Sequence, residues 1–168
     1  MTNLARETMW RGRYLSVVRE GRWEYAERVG DTPAVVIVAI DDGALILIEQ
    51  YRVPAGRRCL ELPAGLVGDE GAEDQDAAAR RELEEETGYR ADRIALLGDF
   101  YSSPGLTSER FTIVRATDLT RVGEGGGTGT EDIRVHRVPL AELPDFVAGK
   151  RAEGLGIDAK LLLALALL

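Results

Sequence analysis

Between Glu73 and Tyr89 the chain reads Glu73, seven residues, and then Arg81-Glu82-Leu83-Glu84-Glu85-Glu86-Thr87-Gly88-Tyr89. Residues three and four apart on a helix share a face, so a helix here projects Glu82, Glu85 and Glu86 together. Arg81 then sits one turn before Glu85 as an ion-pair partner, and Gly88 supplies the stop. Like charges at that spacing cost roughly a few tenths of a kcal/mol per pair, a cost that disappears when a divalent cation sits among them. An all-oxygen ligand set selects Mg²⁺ or Mn²⁺ rather than zinc. An acidic run is ordinarily no more than the solvated face of a helix. At about 6% per residue type, however, these fixed identities coincide by chance only about 10⁻⁵ times along such a chain, and the spacing therefore carries information.

The rest of the composition sets bounds. At 168 residues, 45% hydrophobic and 30% charged, the chain suits one domain with a small appendage and can bury a sizeable core. A net charge of −8 argues against a nucleic-acid groove or an anionic membrane as partner, because both require a basic surface. Cys59 is the only cysteine and His136 the only histidine, so neither a disulfide framework nor a zinc cluster can be assembled. Cys59 lies in an apolar alternating stretch and reads as a core cysteine. Met1 to Trp10 lacks an apolar core of the kind that marks a secreted chain, which favours the cytoplasm. Leu161 to Leu168 falls far short of the ~20 apolar residues of a membrane span and reads as a buried terminal helix capped by Asp158.

Along the chain, Arg13–Val18 and Arg22–Val29 read as a hairpin around Glu20-Gly21. Ala34–Ile40 and Ala44–Gln50 form a second hairpin through Asp41-Asp42-Gly43, and Arg58–Leu62 is a short strand ending at Pro63. The acidic helix spans about Gln75 to Thr87. Strands follow at Ile94–Tyr101, Arg110–Ala116 and Ile133–Val138, then helices at Leu140–Ala148 and Ile157–Leu168. The pattern is α+β: a mixed sheet covered by helices, preceded by a small N-terminal β-hairpin region. Gly123 to Thr130 is glycine-rich but is not followed by Lys-Ser or Lys-Thr and opens no helix. It reads as a flexible surface loop rather than a phosphate cradle.

Glu73, seven residues, then Arg-Glu-hydrophobic-any-Glu-Glu-any-Gly-hydrophobic resembles the Nudix box, the signature of hydrolases that act on nucleoside diphosphates linked to another moiety. Glu61-Leu62-Pro63-Ala64-Gly65 before it, Ser103-Pro104-Gly105-Leu106-Thr107-Ser108-Glu109 after it, and Glu131-Asp132-Ile133 later extend the likeness to the ADP-ribose pyrophosphatase branch. One departure is visible. The family pattern has five residues between its first Gly and the Glu, whereas seven separate Gly65 from Glu73 and four separate Gly68 from it, so the loop before the helix is lengthened.

The resemblance implies a Nudix α/β/α sandwich over residues 32–168, with residues 1–31 as a β region for dimerisation. It implies metal ligation by Glu82 and Glu86, with Glu85, Glu131 and the Ala64 carbonyl beside them. Arg81 is implied as the residue that orients the glutamates. It offers Glu109 or Glu131 as general base, with Gly129 where some relatives carry a further acid. Arg52 and Glu61 match positions that contact the diphosphate and polar groups of the ligand. Pro104, 15 residues after Tyr89, matches the spacing that marks ADP-ribose hydrolases. Trp23 resembles an aromatic that stacks on adenine, often across a dimer interface, although a lone Trp in a strand is more often core or interface. The implied activity is Mg²⁺-dependent hydrolysis of a nucleoside diphosphate sugar by a homodimer, ADP-ribose giving AMP and ribose 5-phosphate. GDP-mannose or another nucleotide sugar is the nearest alternative substrate, and a non-catalytic ADP-ribose-binding module is an alternative of another class.

Overall fold

Asp42 and Gly43 both take positive φ, 44° and 73°, the two-residue turn whose twist matches that of a hairpin. They join β4 (Ala34–Asp41) to β5 (Ala44–Arg52) in a computed structural model that describes residues 5–68, 71–129 and 131–166. The two strands pair only at Ile40 with Leu45 and Asp41 with Ala44 before they part. Past that point β4 runs parallel to β9 (Arg110–Arg121) and antiparallel to β7 (Ala64–Leu66). On its side β5 pairs antiparallel with β6 (Arg57–Glu61) and β10 (Arg134–Pro139). One edge is β8 (Tyr89–Tyr101), antiparallel to β9; the other is β11 (Gly156–Ile157), parallel to β6.

The sheet is buried on both faces. Along β4, Val35, Ile37 and Ala39 point to α1 (Gln75–Thr87), where they meet Ala78, Ala79 and Leu83. The alternate residues Val36 and Val38 point the other way, to Leu143 and Val147 of α2 (Leu143–Ala152) and Leu161 and Ala164 of α3 (Ala159–Leu165). A period of two within an unbroken apolar run requires cover on each side, so the expected helix–sheet–helix sandwich follows from the sequence of β4 itself. Before it stands a separate three-stranded antiparallel sheet of β1 (Arg6–Arg11), β2 (Leu15–Glu20) and β3 (Trp23–Arg28).

Several expectations are corrected. The N-terminal hairpin gains β1, whose six residues are all exposed, so no alternation betrays it; Glu7 pairs at 2.6 Å with its register partner Arg19 of β2, and Arg6 pairs at 2.6 Å with Glu27 of β3. The helix expected from Leu140 begins at Leu143, because Pro144 is accommodated in a first turn, where its missing N–H is harmless. The helix expected from Ile157 begins at Ala159. Gly156 and Ile157 are taken into the sheet opposite Cys59 and Leu60, and Asp158 caps the helix by accepting from the Lys160 N–H. Strand β8 starts five residues early, since Tyr89 and Ala91 are buried between exposed Arg90 and Asp92. The glycine-rich stretch lies at the surface, as expected, and bonds the end of α1. Met1–Leu4, Thr130 and the last two leucines of the expected terminal helix, Leu167 and Leu168, lie outside the described residues.

The stop of α1 explains the glycines. Gly88 takes φ 72°, and a Cβ there would stand 2.3 Å from the Gly123 carbonyl oxygen. The chain returns so closely that the N–H groups of Val122 and Gly123 donate to Gly88, while those of Gly126 and Gly127 donate to the carbonyls of Glu86 and Glu85. The last turn of the helix, whose carbonyls have no partner within the helix, is thereby satisfied by the glycine-rich segment. Gly88→Ala is expected to lower the unfolding free energy by about 2 kcal/mol or more, from left-handed strain plus the backbone clash, as read by chemical denaturation.

Candidate active site

The acidic helix, strand β7, the ends of several other strands and the loops that carry Glu109 and Glu131 meet around one cleft of about 870 Å³. Asp74 starts α1 by accepting from the Ala77 N–H at 2.9 Å, which fixes the phase of the turns that follow. In that phase Glu82 and Glu86 face the cleft, and both are buried. Strand β7 crosses them at close range. The Ala64 N–H donates to Glu86 Oε2 at 2.9 Å, and a Cβ on Gly65 would fall 1.9 Å from the Glu82 carboxyl carbon. Only glycine leaves room there for a carboxylate.

Arg81 lies behind the cleft and joins the acidic groups to one another. Its guanidinium reaches Glu73 at 2.8 Å, Glu82 at 2.9 Å, Glu85 at 3.3 Å and the Leu66 carbonyl at 3.4 Å. Glu73 also accepts from the Gly68 N–H, so the lengthened loop before the helix is folded back by the glutamate that begins the motif. Glu85 does not line the cleft; its carboxylate is turned to Arg81.

Arg52 of β5 and Glu61 of β6, nine residues apart in sequence, are not register partners, Arg52 lying opposite Arg57 and Glu61 opposite Ile48, but their side chains meet as a two-bond pair at 2.6 and 2.8 Å. Both line the cleft, as do Ala64, Glu109 and Glu131. Glu109 is held by Arg28 of β3, with contacts at 2.5 and 3.1 Å. Burial raises its pKa, but the bonds from Arg28 and Ser102 outweigh that and leave it below the usual carboxylate value. Glu131 is exposed at the rim and accepts from the Thr128 N–H at 2.7 Å.

Two expected residues fall elsewhere. Trp23 and Pro104 line a second cleft of about 400 Å³ together with Tyr25, on a wall formed where the Ala26 N–H and carbonyl bond Leu106 and Ser108. Cys59, expected in the core, is only half-buried and lines the large cleft; burial and the neighbouring Glu61 charge push its thiol pKa up. Sequence reading missed Arg28, which is 81 residues from Glu109, and Lys160, which also lines the cleft. No local spacing signals either one, since each arrives from a separate element.

The cleft is short of positive charge where its carboxylates gather. Burial, then the charges of Glu82 and Glu131, push the Glu86 pKa up to about 8, despite the opposing Ala64 N–H and Arg52. Among the described residues no three acidic, histidine or cysteine side chains form a ready-made metal cage. The donor set nonetheless suits a hard cation that retains waters and takes only one or two carboxylates directly, as Mg²⁺ does. A bound divalent cation would also relieve the charge crowding at Glu86.

The NUDIX domain model matches residues 30–156. An ADP-ribose pyrophosphatase of Bacillus subtilis is 34% identical over 128 residues, covering 72% of this chain and 68% of its own length. A GDP-mannose pyrophosphatase of Cronobacter sakazakii is 33% identical over 158 residues, 89% of this chain and 78% of its own. A solved structure described as an ADP compounds hydrolase superposes with a TM-score of 0.69 at 31% identity, covering 86% of this chain and 81% of that one. The chain belongs to the Nudix family of hydrolases.

The raised Glu86 pKa has a consequence for the metal-free protein. Between the ordinary value of 4.5 and about 8 the folded state binds a proton that the unfolded state has released, so stability falls as pH rises through that window. In chelator, the melting temperature of the wild type is expected to drop from pH 5 to pH 8 relative to Glu86→Gln. The difference between the two proteins should reach on the order of a few kcal/mol. Parallel pH profiles for wild type and variant would refute the crowding at this carboxyl.

Proposed function

We propose that this Nudix hydrolase cleaves the pyrophosphate bond of nucleoside diphosphate sugars in the cytoplasm, with Mg²⁺ as cofactor, Mn²⁺ as substitute, and ADP-ribose as preferred substrate. The products are AMP and ribose 5-phosphate. One observation carries the reading: a buried acidic helix face, Glu82 and Glu86, shares a single cleft with the Arg52–Glu61 pair and with Glu131 at the rim.

Glu82, Glu86 and the Ala64 carbonyl are the groups we assign to hold the cation. When bound, it neutralises charge on the diphosphate oxygens and lowers the pKa of a coordinated water. Arg81 and Glu85 keep the ligand face in register from behind. Arg52, docked on Glu61, offers its guanidinium to the diphosphate. Of the two candidate bases, Glu109 is occupied by Arg28 and held in its weakly basic form. Glu131 is therefore the residue we assign to take the proton from the attacking water.

Residues 1–31 are the dimerisation region in this reading. The N-terminal sheet exposes Met9, Trp10, Tyr14, Leu15 and Val17, an apolar surface that a second copy of the chain would cover. Trp23 and Pro104, in a cleft of their own within one protomer, would then supply the stacking wall for the base. GDP-mannose remains the second candidate substrate, favoured by the extent of the match to the Cronobacter sakazakii pyrophosphatase.

Rates on ADP-ribose, GDP-mannose and UDP-glucose are the first test; ADP-ribose should have the highest kcat/KM, and a higher value for GDP-mannose would overturn the preference. Glu86→Gln and Glu131→Gln should each lower kcat by about a hundredfold or more with the fold retained. Trp23→Ala should raise KM about tenfold with kcat little changed, as loss of base stacking does. Sedimentation should give twice the 18.3 kDa chain mass, and Trp10→Glu should shift the protein to the monomer.

A further inference from the structure

Glu49 of β5 is 2% exposed, an unusual depth for a carboxylate. It is surrounded by the cations Arg58 of β6 at 2.7 Å, Arg134 of β10 at 3.3 Å and Lys150 of α2 at 3.3 Å, and by the His136 imidazole of β10 at 3.1 Å, whose protonation burial disfavours. None of these groups lines the catalytic cleft.

Arg58 connects this buried centre to the cleft. Its Nε donates to Glu49 Oε1 at 2.7 Å and its Nη2 to the Glu49 carbonyl at 2.8 Å. The other edge of the guanidinium takes Asp132 in the same manner, with Nη1 to Oδ2 at 2.7 Å and Nη2 to the carbonyl at 3.0 Å. Asp132 directly follows Glu131. A planar guanidinium fixed on a buried carboxylate is a rigid strut, and it grips both backbone and side chain of its target.

The position of Glu131 needs such a support. On one side the chain is tied to the end of α1 through the Gly126 and Gly127 N–H groups; on the other, the ladder of β10 begins only at Arg134. Gly126, Gly127 and Gly129 all take positive φ, so the approach is built from residues with many alternative conformations. Between those anchors Glu131 bonds Thr128 and the Ile133 N–H bonds the Gly126 carbonyl, both partners lying within the same glycine-rich segment, and Asp132 receives from Arg58 the two bonds that tie the segment to β6.

We propose that Arg58, seated on buried Glu49, is a positioning residue that fixes the backbone at Asp132 and thereby sets Glu131 at the rim of the cleft. The inference rests on the assignment of Glu131 to the reaction. Loss of Arg58 leaves Glu49 paired with Arg134 and Lys150 and bonded to His136, while the segment that carries Glu131 loses its tie to β6. Lys at this position cannot bond Glu49 and Asp132 together in the fork geometry and restores only part of the function.

The test is a double-mutant cycle on the full chain with ADP-ribose and Mg²⁺. Arg58→Gln should lower kcat by about ten- to a hundredfold, with KM within about twofold, as a shift of an ångström in a reacting group does. Arg58→Lys should fall between the variant and wild type. In a Glu131→Gln background the same Arg58→Gln change should cost less than about twofold, because the group it positions is already lost. Equal losses in both backgrounds would overturn the proposal, as would full activity of Arg58→Gln or of Glu131→Gln. Arg134→Gln, which also removes a cation from Glu49 but does not touch Asp132, should leave kcat within about twofold; the Arg58→Gln loss reproduced there would assign the effect to Glu49 charge balance and refute the strut.

Amide hydrogen exchange without substrate provides a readout independent of turnover. Faster exchange at 126–133 in Arg58→Gln, with α1 unchanged, supports the anchor, and wild-type protection there refutes it. Asp132→Ala, at an exposed side chain, removes the same contact from its other end and should reproduce the exchange and a smaller kcat loss; wild-type behaviour in both would also refute it. A wild-type chain that hydrolyses no nucleotide sugar would refute the proposed activity, and the exchange data would still decide the anchor.

Discussion

Holding carboxylates together in a partly dry cleft is electrostatically costly, and most of the local structure around α1 answers that cost. Arg81 offsets it from behind by spreading one guanidinium over Glu73, Glu82 and Glu85. Strand β7 offsets it from the side, with the Ala64 N–H on Glu86 and a glycine where any other residue would collide with Glu82. What these contacts leave uncompensated appears at Glu86, whose affinity for a proton is raised by burial and by its acidic neighbours.

The same helix end governs the loops. A helix stopped by glycine leaves its last carbonyls without helical partners, and here the glycine-rich stretch returns to supply the donors. That return carries the chain past the cleft, so capping the helix and delivering Glu131 are one structural event. The charge centre at Glu49 acts on the far side of the same loop, and both systems converge on a few residues between α1 and β10.

Much of the frame was legible because periodicity reports burial. The unbroken apolar run of β4 marked a strand, the acidic spacing and Gly88 marked out the helix and its stop, and Asp158 marked the cap of the last one. Failures came where no local pattern exists. Strand β1 buries nothing and so has no apolar rhythm, and the two residues of β11 are held in the sheet by a partner strand remote in sequence. Cys59 sits in an apolar rhythm, yet the strand it belongs to turns that position toward the cleft.

By itself the sequence determined the helix, its phase and the acidic face that phase creates, because spacing, capping and like-charge neighbours are properties of a few consecutive residues. Only the tertiary structure decided that Glu82 and Glu86, but not Glu85, line the cleft, that Arg28 clamps Glu109, and that Trp23 lies in a separate cleft from the glutamates. Those outcomes depend on contacts between elements tens of residues apart, whose energies arise only when the sheet has brought them together.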